Sequence, residues 1–268
     1  MTLDPITLEV VLNRIREIAG NMEHALYHSG YSSILRESQD GTAGLADAQG
    51  NVVLVSGGLQ FHVIPCSQAI RCVIERYSVE RLHEGDSFVV NDPHKAGNPH
   101  VPDMVAVTPV FYRQRLVAFG VSIAHKVDLG GLVPGSSGSA AREIFHDGLR
   151  LPAVRYWTRD GVNEEVEAII RTNSRVPDVV IGDLRGQVGC TRLAIEGIGR
   201  LADEYGIDTV LESMSRLLSE TAKQLADELE RWPDGVAEAE GFLDHDGADK
   251  SRPIRVQVLA LKSGRMLT

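Results

Sequence analysis

HVPDMVAVTPVFYRQRLVAFGVSIAHKVD, from His100 to Asp128, is the stretch on which the fold turns. Val105 to Phe111 and Leu116 to Ala124 are apolar, valine-containing runs of strand length, and their boundaries are polar. That pattern predicts two strands, with Tyr112-Arg113-Gln114-Arg115 as the hairpin turn between them. In an antiparallel hairpin, the residue before the first strand and the residue after the second meet opposite the turn. Asp103 and His125 hold those two places, and His100 faces the same point if the loop bends between it and Asp103.

Two imidazoles and a carboxylate converging on one point make a divalent-metal pattern, suited to zinc, manganese or iron. Such a centre keeps one coordination position open for water or substrate. The spacing His-x-x-Asp arises often by chance, so the histidine at the end of the paired strand carries the weight. Spacing alone leaves a second reading open. In it, these are solvated loop residues and His125 is a hydrogen-bonded core histidine.

Upstream, Asp4 is a plausible N-cap with Pro5 at the first helical position, and Leu8, Leu12, Ile15, Ile18, Met22 and Leu26 recur at helical spacing up to Gly30. Ala43 to Ala46 and Val52 to Val55 flank the turn Asp47 to Asn51 as a hairpin. Pro65 opens a short helix through Ile74, and Asp86 to Asn91 reads as a strand. Downstream, the glycine-rich stretch Gly130 to Gly138 reads either as a surface loop or as a place where backbone approaches a ligand. It lacks the Gly-Lys-Ser/Thr of a phosphate loop. Helices are expected at 163–173, 177–204 and 207–231, with Gly206 splitting the last two. Val236 to Phe242 and Ile254 to Leu259 return to strand, and the residues after Lys262 read as a hairpin cut off before its return strand. The expected class is α+β. A β-rich portion at 1–160 carries the site, a helical region spans 161–232, and 233–268 reads as the start of a truncated β region.

Composition narrows the partners. A formal net charge of -10 argues against nucleic acid and anionic membranes. No apolar run approaches the ~20 residues needed to cross a bilayer. Cys66, Cys72 and Cys190 are too few and too scattered for a disulfide framework, so a reduced, cytoplasmic setting is expected.

Several runs together resemble one family. They are Asp4-Pro5-Ile6-Thr7-Leu8-Glu9-Val10, Arg36-Glu37-Ser38-Gln39-Asp40, Asn91-Asp92-Pro93, Gly97-Asn98-Pro99-His100-Val101-Pro102-Asp103 and Ala124-His125-Lys126-Val127-Asp128-Leu129-Gly130-Gly131. Glu143 to Arg150 and Gly182-Asp183-Leu184-Arg185-Gly186-Gln187 fit as well. In this order and spacing they resemble hydantoinase B proteins. That family takes in N-methylhydantoinase B subunits, the matching half of 5-oxoprolinase, caprolactamase beta subunits and the alpha subunits of acetone-type carboxylases.

The resemblance implies a chain covering about the N-terminal half of a longer family member. It implies a metal centre with Asp40, His100, Asp103 and His125 as ligands; Asp40 follows from the resemblance and not from spacing. It also implies an ATP-binding hydantoinase A-type partner in a hetero-oligomer. That partner spends ATP to activate the carbonyl of a small cyclic amide, which water activated at the metal then attacks. Asp128 is a candidate base or water-orienting group, and equally a turn cap. Arg36 would orient Asp40 or neutralise substrate charge, and equally reads as a solvated surface cation. His62 reads as a residue supporting the ligands, or as a plain structural histidine. Lys126, where family members often carry His, puts a cation beside the site. Two rival functions remain: the alpha-type subunit of an ATP-dependent ketone carboxylase, and a non-catalytic assembly subunit.

Overall fold

The computed structural model describes residues 4–136, 138–247 and 249–268, so the first part of the polar start lies outside the described residues. In chain order the elements are α1 (Pro5–His28), α2 (Ser33–Arg36), β1 (Gly41–Asp47), β2 (Val52–Ser56), α3 (Val63–Tyr77), β3 (Ser87–Val90), α4 (Pro93–Ala96), β4 (Asp103–Tyr112) and β5 (Arg115–His125). Then follow β6 (Val154–Thr158), β7 (Gly161–Val162), α5 (Glu164–Asn173), α6 (Pro177–Tyr205), α7 (Ile207–Arg231), β8 (Gly235–Leu243), β9 (Ile254–Ser263) and β10 (Met266–Leu267). The class is α+β, as expected.

Local chemistry explains the main boundaries. The Asp4 carboxylate accepts the Thr7 N–H at 2.9 Å and so caps α1, with Pro5 in the first turn. The side chain of Asn163 caps α5 in the same way. Gly206, at φ 82°, separates α6 from α7. Several short elements, α2 among them, escaped the sequence reading. Asp92 caps the single turn of α4 inside the polar loop, and β6 and β7 add a small edge beyond β3.

Two compact units make up the chain. The first runs through Gly138 and from Glu143 to Met214; the second holds Ser139–Arg142 and Ser215–Thr268. The three expected regions therefore meet two units. α5, α6 and the start of α7 belong with the strands of the first, and the rest of α7 belongs with β8 to β10.

The first unit is built on one antiparallel sheet in the order β2-β1-β5-β4-β3-β6-β7. Side chains alternate across it. Val105 and Val107 of β4 and Phe119, Val121 and Ile123 of β5 pack with Cys66, Ala69, Ile70 and Val73 of α3. Met104 and Ala106 lie on the other face with Ile181, Leu184 and Val188 of α6. Coverage of both faces explains why these strands read as continuous apolar runs instead of alternating. β5 and α6 come very close at Gly120, where an added Cβ would lie 2.2 Å from the Thr191 carbonyl oxygen.

The second unit carries an antiparallel sheet in the order β10-β9-β8. Leu243, Val256, Val258 and Leu267 share one of its faces by register and are exposed. The residues after Lys262 were expected to end before a return strand, but they form one: β10 pairs with the end of β9 and closes the hairpin. Among the described residues, no helix is long and apolar enough to cross a membrane.

Candidate metal centre

Strand pairing brings the candidate residues to one end of the large sheet. β4 begins at Asp103 and β5 ends at His125, and these two residues are register partners. Asp40 immediately precedes β1. Gly41 is paired with Ala124, and the His125 N–H donates to the Asp40 carbonyl at 3.2 Å. The loop leading to Asp103 is folded tightly, since the Asp103 N–H donates to the His100 carbonyl at 3.2 Å. Buried Asn91 stitches that loop to its surroundings. Its amide nitrogen donates to the carbonyls of Val101 and Leu149, and its oxygen accepts the Leu151 N–H.

His100 Nε2 lies 3.2 Å and His125 Nδ1 3.6 Å from Asp103 Oδ1. The two imidazoles stack with centroids 4.9 Å apart. Each of the three residues offers one ligand atom within 4.8 Å of the others. Asp103 is buried, while His100 remains partly open and forms the mouth of the group.

Asp40 and His62 extend the cluster. Thr42 Oγ1 lies 3.0 Å from His62 Nδ1, which turns His62 Nε2 to within 3.9 Å of Asp40 Oδ1. Tyr27 Oη donates to the Gly41 carbonyl at 2.8 Å and fixes the chain just after Asp40. Asp40 Oδ1, His62 Nε2 and His125 Nδ1 are all buried and have no hydrogen-bond partner. A buried polar atom left unpartnered costs roughly 1–3 kcal/mol. Three such atoms in one neighbourhood, all on imidazole or carboxylate, are the donor set a divalent cation would satisfy.

The electrostatics agree. Burial pushes the His62 and His125 imidazoles below the usual histidine range, even though Asp103 and Asp40 pull them up. Neutral imidazole is the ligand-competent form. His100 moves the other way because the Asp103 carboxylate accepts its hydrogen bond.

His100, Asp103 and His125 are thus brought together as expected, whereas the Asp40 carboxylate stands outside that group of three and faces His62. The remaining candidates lie elsewhere. Asp128 is buried, but its carboxylate is engaged. It accepts the Arg175 N–H at 2.7 Å, the Arg175 guanidinium at 2.9 Å and the Gly130 N–H at 3.3 Å. That is the work of a loop anchor. Arg36 is exposed in the last turn of α2, and its guanidinium makes no ion pair or hydrogen bond to Asp40 among the described residues. Lys126 is buried and points to α6, where its ammonium donates to Gln187 Oε1 at 2.6 Å. The glycine stretch brings the chain's own backbone close: a Cβ on Gly131 would lie 2.4 Å from the His146 carbonyl oxygen. Ser137 within it lies outside the described residues. Sequence reading gave no role to Thr42, Tyr27 or Asn91; Thr42 and Tyr27 offered only their polarity within strand- or helix-forming runs, and Asn91 its place in a run that carries the resemblance.

The architecture and the cluster define a class: an α+β protein with a histidine–aspartate group gathered where β1, β4 and β5 meet at one end of an antiparallel sheet. The chain belongs to the Hydantoinase B/oxoprolinase family, whose model matches residues 4–267. It is 34% identical to the B subunit of a putative D-/L-hydantoinase from Pseudomonas sp. (strain NS671), with 99% of this chain and 46% of that protein covered. It is 30% identical to the beta subunit of the caprolactamase from Pseudomonas jessenii over 92% of this chain and 42% of that one. The crystal structure of the ATP-dependent caprolactamase from Pseudomonas jessenii superposes with a TM-score of 0.90 at 28% identity, covering all of this chain and 46% of its counterpart. An acetone carboxylase structure shares the fold, with a TM-score of 0.82 at 21% identity, 89% of this chain and 32% of that one being covered. The chain spans about half the length of the curated hydantoinase and caprolactamase relatives it matches.

Proposed function

We propose that this chain is the metal-binding part of a B-type subunit of an ATP-dependent cyclic amidohydrolase. Its substrate would be a hydantoin, 5-oxoproline or another lactam. An A-type partner would bind ATP and activate the substrate carbonyl. The observation that carries this reading is the meeting of His100, Asp103 and His125 beside Asp40, with buried donor atoms left unpartnered. Asp40, His100, Asp103 and His125 would hold a zinc or manganese ion. Such an ion supplies a Lewis acid and lowers the pKa of coordinated water from about 15.7 to roughly 7.

The chain's own residues prepare the site in three ways. Asp103 sits between the two imidazoles and orients His100 through a hydrogen bond. The β1–β5 pairing ties Asp40 to His125 through the main chain. Burial of His125 and openness of His100 leave one side of the group accessible to a substrate. Relatives named for hydantoinase and caprolactamase, at 34% and 30% identity, support the hydrolase reading over the carboxylase one. The acetophenone carboxylase delta subunit of Aromatoleum aromaticum stands at 25%.

Metal analysis of the purified chain tests the centre. One equivalent of zinc or manganese is expected, and it should be lost in His100→Ala. A chain unable to bind either ion would support an assembly role instead. Activity with a copurifying ATP-binding subunit tests the chemistry, since ring opening should proceed without bicarbonate. Ketone consumption that requires bicarbonate would overturn the hydrolase reading.

A further inference from the structure

We propose that Arg150 is the carboxylate-binding group of a substrate subsite next to His100, and that the ring opened there carries a carboxylate, as 5-oxoproline does; the proposal rests on the amidohydrolase reading above. The subsite is a cavity of about 350 Å³, a size suited to a small ligand. Leu129, Ile144, Phe145 and Leu149 line it together with Arg150. An apolar wall with one cation suits a small ring charged at a single point.

Two segments of chain form that wall. The Leu149 N–H donates to the Leu129 carbonyl and the Leu132 N–H to the His146 carbonyl, both at 2.8 Å. The segments lie so close that a Cβ on Gly148, at φ 107°, would stand 2.5 Å from the Leu129 carbonyl oxygen. The start of the glycine-rich stretch is therefore one side of a cavity.

Asn91 places this cavity next to His100. Its amide nitrogen donates both to the Val101 carbonyl at 2.7 Å and to the Leu149 carbonyl at 2.9 Å. One nitrogen thus joins the neighbour of His100 to the neighbour of Arg150. On the other side of Arg150, the Leu151 N–H donates to Asn91 Oδ1 at 2.6 Å.

The Arg150 guanidinium is placed but uncommitted. Its central carbon lies 5.6 Å from the Phe145 ring centroid, a contact that holds it without using its N–H groups. Its Nε faces Asp92 Oδ2 at 3.7 Å, beyond hydrogen-bond distance. Among the described residues it donates no hydrogen bond, and it is partly exposed. A planar fork with free N–H groups matches the two oxygens of a carboxylate. A phosphate would match the same fork, but the apolar wall beside it favours an anion carried on a ring.

Isothermal titration calorimetry on the purified chain compares 5-oxoproline with 2-pyrrolidinone, the same ring without the carboxylate. 5-Oxoproline should bind the wild type at least about 10-fold more tightly. Arg150→Gln should erase that preference with little change for 2-pyrrolidinone, and Arg150→Lys should keep part of it. Asp92→Asn, which keeps a capping side chain on α4, should tighten 5-oxoproline binding a few-fold by removing a competing carboxylate. Equal binding of the two rings by the wild type, no binding of 5-oxoproline, or a preference that survives in Arg150→Gln would overturn the proposal. Inorganic phosphate binding more tightly than 5-oxoproline, and lost in Arg150→Gln, would overturn it as well, by making the group received a phosphoryl one. Ring opening with the ATP-binding partner separates the two readings. A complex that opens both rings equally well with or without Arg150 sinks the subsite and leaves the amidohydrolase reading intact. A complex that opens no cyclic amide, while the binding preference holds, sinks that reading and leaves the anion subsite standing. The wild-type preference decides the matter even if an Arg150 variant fails to fold.

Discussion

Lys126 is the residue on which family resemblance and structure diverge most. It follows His125 directly, yet its ammonium lies buried beneath α6 on Gln187 and away from the histidine cluster. Burial pushes its pKa down to about 8, with Asp183 opposing the shift. The folded value therefore lies below the unfolded one. Folding releases a proton between about 8 and the unfolded value of ~10.4, and stability contributed by this residue rises with pH through that window. It is lost as pH falls through 8. Against Lys126→Met, the wild type should gain in urea midpoint between pH 7 and pH 10. A gap that stays flat over that range would mean the ammonium is solvated. Sequence could announce Lys126 as an unusual neighbour of the site, but not its direction. That is set by α6, which the chain reaches only after β6, β7 and α5. The same limit applied to Asp128, whose partner Arg175 is equally remote in sequence. His100, Asp103 and His125 were legible because a hairpin relates their positions by rule.

At the scale of elements, periodicity located the long pieces well: α1, α5, α6, α7 and the strand pairs lie within a few residues of expectation. The apolar runs of β4 and β5 match strands buried on both faces. Periodicity could not say which helix covers which face, since α3 and α6 are equally apolar. The close packing of β5 on α6 gives a pair of opposite glycine predictions. Gly120→Val forces a side chain into the Thr191 carbonyl and should cost at least about 1–3 kcal/mol. It should also weaken zinc binding, because Gln187 on α6 donates to the Met104 and Ser122 carbonyls beside the site. Gly189, in the middle of the same helix, has nothing near its missing Cβ. Gly189→Ala should stabilise by roughly 0.5–1 kcal/mol. Chemical denaturation of both variants checks the pair.

Over the whole molecule, about half of the length of the relatives is represented, and the second unit shows an apolar sheet face open to water. Strand alternation in β8 and β9 was readable, but nothing in a single sequence tells whether the inner face of such a sheet has a layer against it. Open apolar sheet faces bind environment-sensitive dyes and promote association. The chain alone should therefore enhance the fluorescence of an anilinonaphthalene dye. Val258→Lys, in the middle of that face, should reduce the signal by about half or more without moving the thermal midpoint by more than a few degrees. An unchanged signal would show that the dye reports some other surface.

The bond between the His125 N–H and the Asp40 carbonyl also sets an order of events. Asp40 and His125 are far apart along the chain, and they meet only once β1 has docked on β5. Long-range pairings of this kind close late during folding. An ion supplied to a refolding chain would thus be captured after the sheet has zipped shut, and the lag before capture would serve as a clock for that closure.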